Sequence, residues 1–201
     1  MGRKKNYDRE MLTEKAMEIF RDHGFADTSA EMLVQGLGVN RYSLYAEFGS
    51  KQGLYDAALQ RYDTDIVGRN FGPLEAPGAG LDEIRALLEF FGMAAEIPAL
   101  GRGCLLCNTA VEFGRDDPSG AGFVQKYFER VSRAFHLALE NAYAKGDVHL
   151  SVETRAEAGF FTASVLGLFV MLRAKAPQGV IEHAAQVAIE HLEGLRAEPS
   201  T

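Results

Sequence analysis

The residues of this 201-residue chain best suited to chemistry are Asn40, Arg41, Tyr42 and Ser43, with Tyr45 and Lys51 close behind, and the chemistry is recognition, not bond making. Arg41 can chelate guanine O6 and N7. Tyr42 offers a ring to a thymine methyl or a sugar, and Ser43 can bond a base edge or a phosphate. Asn40 has the side chain of a helix cap, and the free N–H groups of the turn after it form a positive end that suits phosphate. Arg3, Lys4 and Lys5 make an acid-free basic arm of the kind that enters a groove. For each of these side chains, solvent exposure or local capping is the plainer alternative.

A second set could respond to small molecules. Cys104 and Cys107 form a C-x-x-C near the start of a predicted helix, where the macrodipole lowers a thiol pKa and the spacing puts both sulfurs on one face. A redox switch is conceivable, but the plainer reading is two small apolar fillers beside Leu105 and Leu106. Asn108, an amide within an apolar helix, is a candidate ligand anchor or a satisfied core amide. Phe90, Phe91, Phe128, Phe135, Phe160 and Phe161 supply the walls of a largely apolar pocket for a small organic effector.

Other chemistries have no foothold. The five histidines are scattered without metal-ligand spacing, and no second cysteine pair completes a zinc site, so no metal or cofactor is expected. No Ser-His-Asp order, nucleophile elbow, Walker loop or dinucleotide glycine pattern occurs, which argues against an enzyme. The most apolar window, 159–172, falls short of the roughly 18 residues of a membrane span, and the N-terminus is not a secretory signal. A cytoplasmic protein with no membrane partner is therefore expected. The net charge of −7 seems to oppose a nucleic-acid partner, but its distribution does not. Residues 1–55 balance eight Lys/Arg against eight Asp/Glu, so the whole acidic excess, 20 acids against 13 bases, lies beyond them.

The elements that must position these residues are helices. Leu12, Ala16, Ile19 and Phe20 recur at helical spacing between Asp8, a cap, and Gly24, a stop. Thr28 and Glu31 read as a reciprocal capping box opening a second helix that runs to about Gln35. Gly36 and Gly38 permit a tight turn with positive φ, Asn40 caps a third helix over 41–48, and Ser50 caps a fourth after Gly49. The Gly- and Pro-rich stretch 68–80 reads as a loop, followed by helices at about 81–97, 103–114, 119–145, 153–176 and 179–196. The last two carry more apolar surface than one bundle covers, which predicts a homodimer; Phe169, Val170, Ile181, Val187, Ile189 and Leu192 are candidates for its interface. Two short helices joined by a glycine-containing turn can form a DNA-reading helix-turn-helix or an ordinary αα-hairpin.

The segment GFADTSAEMLVQGLGVNRYSLYAEFGSKQGLYDAAL resembles the DNA-binding domain of the TetR family of bacterial repressors. Gly24, Phe25, Thr28, Ser29, Gly38, Val39, Leu44, Tyr45, Phe48, Gly49, Ser50, Lys51 and Leu54 carry the likeness in order and spacing. GCLLCNTAVEFG, at 103–114, is similar to a stretch in some members. The resemblance implies an all-α fold, with a helix-turn-helix domain at 1–55 (basic arm 1–7) and a ligand-binding and dimerisation bundle at 56–201. It implies double-stranded operator DNA as partner, with Tyr45, Lys51, Thr28 and Ser29 on phosphates, and release by an effector. A redox-responsive regulator using Cys104 and Cys107 is the alternative. The chain departs from the family at Val34, where a small residue is usual and a wider helix crossing follows, at Ala46 and Glu47, where histidines are frequent, and at Gly53, where an acid is usual. An acid at Glu47 adds nothing to phosphate binding.

Overall fold

The structure is a computed structural model and describes residues 7–97, 101–114 and 122–197. The arm of Arg3, Lys4 and Lys5 lies outside the described residues. Among those described the secondary structure is helical, apart from one isolated antiparallel bridge between Val148 and Arg196.

The front of the chain follows its local signals closely. Helix α1 (Arg9–His23) is capped by Asp8, whose carboxylate accepts from Glu10 N, and stops at Gly24, at φ 78°. Helix α2 (Ala30–Leu37) differs from expectation by one residue at its start. Ser29, not Thr28, is the cap, accepting from Met32 N at 3.1 Å, while Thr28 is buried and donates its hydroxyl to the Gly24 carbonyl. Gly36 also departs from its expected role: it lies inside α2, and a Cβ there would come within 2.6 Å of Ile19 Cδ1. It allows close helix approach, and Gly38, at φ 67°, makes the turn alone. Helices α3 (Arg41–Phe48) and α4 (Lys51–Tyr62) begin at the caps Asn40 and Ser50, as expected.

After α4 the chain passes through a π-turn, Asp63–Val67, into α5 (Gly68–Glu75). The predicted loop over 68–80 therefore shrinks to 76–80. Val67, Phe71 and Leu74 sit at i, i+4 and i+7 and are all buried, and this stripe outweighs the poor helix propensity of Gly72 and Pro73. Helix α6 (Leu81–Gly92) ends in a 3-10 turn, Met93–Glu96. Helices α7 (Leu105–Phe113), α8 (Phe123–Lys145), α9 (Thr154–Arg173) and α10 (Gln178–Gly194) follow near their predicted places.

Two compact units emerge, each discontinuous in sequence: residues 1–66 with 105–124, and 67–104 with 125–201. The boundary expected at 55/56 falls inside α4, whose buried face continues through Tyr55, Ala58, Leu59 and Tyr62. In the first unit α1 packs on α2 and α4, and α7 packs on α1 and α4. Leu12, Phe20, Leu33, Leu44, Leu54 and Tyr55 are its fully buried centre, each worth about 1.5–3 kcal/mol of burial. In the second, α10 packs closely on α6, where a Cβ on Gly92 would meet Ala185 Cβ at 2.8 Å. Helix α9 is long and apolar enough to cross a membrane by length and composition, yet only 33% of that span is buried. Its exposed stripe of Ala156, Phe160, Ala163 and Val170 is interrupted by Gly159 and Gly167, as suits an interface helix.

Candidate nucleic-acid interface

Helix α3 is amphipathic on a small scale. Leu44 and Phe48 anchor it in the core, and this turns Arg41, Tyr42 and Ala46 outward. Tyr42 is 85% exposed, an unusual position for a large aromatic. The Asn40 amide oxygen accepts from Ser43 N at 2.8 Å, which fixes the first turn and leaves its other N–H groups facing out. The Arg41 guanidinium lies 5.6 Å from the centroid of the Tyr45 ring, one helical turn away, so each side chain limits the other's rotamers. Tyr7 donates its hydroxyl to the Ser43 carbonyl at 3.4 Å.

Two of the departures, Glu47 and Gly53, have local explanations. Arg9 donates to both the carbonyl and the carboxylate of Glu47, at 2.8 and 3.3 Å, and stacks on Phe48. The acid on α3 is thereby paired from α1. At Gly53 a Cβ would lie 2.1 Å from the Phe48 carbonyl oxygen, so the absence of a side chain lets α4 start close under the end of α3.

Lys51 and the α1–α2 turn form the second part of the surface. The ammonium sits 4.3 Å from the Phe25 ring centroid and donates to the Ala26 carbonyl at 3.5 Å. Burial lowers its pKa, and the Glu112 and Asp27 carboxylates nearby act in the opposite direction. Ser29 is exposed at the start of α2, beside the turn. Thr28 is not available to a phosphate, because its side chain is fully buried. Residue-level reading of the sequence missed Glu112. It lies in α7 and accepts from the backbone N–H groups of Phe25 and Ala26 at 3.0 and 2.6 Å, across more than 80 residues of sequence.

The expected effector residues divide between the two units. Phe91, Phe135 and Phe161 are fully buried in the second unit, where Phe71 meets Phe91 and Phe135 at 6.4 and 6.2 Å, and Phe135 meets Phe161 at 5.9 Å. These rings fill the core against one another. Phe160 is half-exposed against His191, and Phe128 is half-buried. Cys104 is buried in this unit, its thiol donating to the Tyr127 hydroxyl at 3.4 Å, whereas Cys107 and Asn108 belong to α7 in the first unit. Phe90 alone of the set lines an open groove of about 300 Å³ between α5 and α6, with Arg69, Asn70, Pro73, Leu74, Glu83, Ala86 and Leu87.

Comparison with known proteins bears on both units. Residues 12–58 match the family described as bacterial regulatory proteins, tetR family, and residues 80–188 match the tetracyclin repressor-like C-terminal domain. The uncharacterized HTH-type transcriptional regulator YezE of Bacillus subtilis is 27% identical over 197 residues, covering 96% of this chain and 100% of that one. The HTH-type transcriptional repressor ComR of Escherichia coli is 27% identical over 178 residues, covering 86% and 82%. Among solved structures, a cysteine mutant of the TetR family transcriptional regulator CifR, in complex with 26-bp operator DNA, is similar at a TM-score of 0.81 and 24% identity, over 94% of this chain and 98% of that one.

Proposed function

The chain belongs to the TetR family of DNA-binding transcriptional regulators, and from that premise we propose that it is a homodimeric repressor released from its operator by a small, largely apolar organic effector. The observation that carries the DNA-binding part is the outward first turn of α3. An exposed tyrosine, an arginine and a capped helix N-terminus without a net acid form the chemistry of a major-groove reader. In this reading Arg41, Tyr42 and Ser43 contact bases. Ser29, Asn40, Tyr45 and Lys51 contact phosphate, and the basic arm follows the adjacent groove.

The exposed apolar stripes of α9 and α10 support the dimer. Val170 and Val187 are 46% and 61% exposed, while Phe169, Ile181, Ile189 and Leu192 are buried within the protomer, which favours Val170 and Val187 as contact residues. Two recognition helices then address half-sites about 34–36 Å apart, or a multiple of that distance, on a nearly palindromic site. Selecting bound duplexes from random sequence tests this reading. A palindromic site with two protomers bound is expected; random recovery, or a monomer at micromolar concentration, contradicts it.

For the effector, the groove bounded by Phe90, Pro73, Leu74 and Leu87 offers a largely apolar wall. The effector acts only if it prefers the conformation that does not bind operator, and reciprocity requires operator to weaken effector binding equally, by a factor of about 5–150 in usual cases. Ala86→Trp fills the groove from an exposed position and should abolish the response to any compound that releases operator. A fully inducible variant removes the groove from the account. The redox reading has less support, because Cys104 and Cys107 are both buried and the Cys104 thiol donates to the Tyr127 hydroxyl. It predicts that diamide alone releases operator and that Cys104→Ser prevents it.

A further inference from the structure

We infer that Glu112 is a positioning residue for DNA binding: its carboxylate holds the α1–α2 turn so that Lys51 and the start of α2 meet the phosphate backbone. The inference rests on the DNA-binding reading above and adds to it a residue outside the helix-turn-helix. One carboxylate oxygen accepts from Phe25 N at 3.0 Å and the other from Ala26 N at 2.6 Å. Two adjacent backbone donors on one carboxylate fix the orientation of the whole peptide segment, which a single bond cannot do. Gly24 makes room for the arrangement, since a Cβ there would lie 2.8 Å from Glu112 Oε2 and the backbone has φ 78°.

The held turn is also the platform for Lys51. Its ammonium rests on the Phe25 ring and donates to the Ala26 carbonyl, so the same two residues are held by Glu112 through their N–H groups and contacted by Lys51 on the ring and the carbonyl. Three residues further on, Ser29 caps α2. The base of α7 is fixed in turn. Thr109 and Tyr55 share a hydrogen bond of 2.6 Å in the buried centre of the unit, and Phe113 packs edge-on to Phe25 at 5.6 Å. Glu112 thus projects from a firmly seated helix onto an exposed turn.

Electrostatics alone makes the opposite prediction, and this gives the inference a sign. A carboxylate beside a phosphate-binding lysine repels DNA, so if Glu112 were only a surface charge, its neutralisation would tighten binding. If it positions the turn, neutralisation weakens binding despite the more favourable charge. Fluorescence anisotropy with the selected duplex and an unrelated duplex, on the full chain, reads the difference for Glu112→Gln and Glu112→Ala. The isosteric Gln keeps the shape, and thermal melting reports whether Ala unfolds the protein. Both duplexes should be bound about 10-fold more weakly by each variant, the scale of one lost charge-assisted hydrogen bond, with sequence preference unchanged. In a Lys51→Ala background the Glu112→Gln loss should shrink, since the two residues act through one turn. Amide exchange at Phe25 and Ala26 should accelerate in the DNA-free variants. Unchanged or tighter binding, or a loss fully additive with Lys51→Ala, overturns the inference. Failure of the unaltered protein to bind any duplex overturns the DNA-binding reading instead.

Discussion

The two compact units are organised by different physics. In the first, order comes from short-range rules: Asp8, Ser29, Asn40 and Ser50 each cap the helix they precede, and Gly38 and Gly49 each end one in a left-handed backbone. The helix starts that carry its exposed polar residues are therefore set by neighbours two to four positions away, while Arg9 on Glu47 and Glu112 on the α1–α2 turn add long-range supports. In the second, order comes from rings distant in sequence, Phe71, Phe91, Phe135, Phe161 and Phe169, which touch in series through the core. Groups placed by caps stay fixed at the surface, whereas rings that touch in series couple distant helices through one core.

The comparison is most sharply tested in the aromatic core. Phe135→Ala removes a fully buried ring and should cost about 3–5 kcal/mol in urea unfolding while leaving operator affinity of the folded protein within about twofold. A small loss of stability would mean that these rings are not the core of their unit. The converse holds for Tyr42→Ala, which should leave stability within about 0.5 kcal/mol because the side chain touches solvent, yet weaken the selected duplex by about 1–3 kcal/mol. Titration of folded protein with duplex, alongside thermal melting, separates the two quantities. Asn40→Ala should lie between, costing about 1 kcal/mol in stability and weakening every duplex, and Asn40→Asp should restore the stability. Equal affinities of the Ala and Asp variants for DNA would detach the cap from binding.

The smallest expected effect is a pH dependence in the second unit. The Glu75 carboxylate is held below the usual carboxylate range, first by its hydrogen bonds from Arg130, against the opposing effect of burial. A lowered folded-state pKa favours the native state at pH above the unfolded value. That contribution is lost as pH falls through the folded value. Because the pair is part-exposed, its share is below about 1 kcal/mol. Urea midpoints followed from neutral to acid pH should fall less steeply for Glu75→Gln than for the unaltered chain; parallel curves would assign acid sensitivity elsewhere.

What the sequence revealed followed the same division. The front helices, their caps and the family likeness were legible because each signal spans a few residues. The exception is Thr28, where two adjacent hydroxyls offered a cap and only the three-dimensional packing turned Thr28 inward and Ser29 outward. Helix α5 was hidden because Gly72, Pro73 and Pro77 resemble a loop, although Val67, Phe71 and Leu74 carry the period of a buried helix. The phenylalanines expected to line a pocket were recognised as apolar mass, but composition does not distinguish a ring that bounds a cavity from one that fills it. Glu112 illustrates the limit most clearly. Its partners are 86 and 87 residues away, and the likeness of 103–114 to a stretch in some family members carried no sign of that contact.

The most direct test of the DNA-reading surface is a salt titration of duplex affinity, comparing the unaltered chain with Arg41→Ala and Lys51→Ala on the selected site and on unrelated DNA. Binding should weaken steeply with salt. Arg41→Ala should lower affinity for the selected site by about 1–3 kcal/mol more than for unrelated DNA, while Lys51→Ala should lower both alike and reduce the salt slope by about 1. Salt-independent binding, or an Arg41→Ala protein with undiminished sequence preference, would contradict the assignment of α3 as the recognition helix.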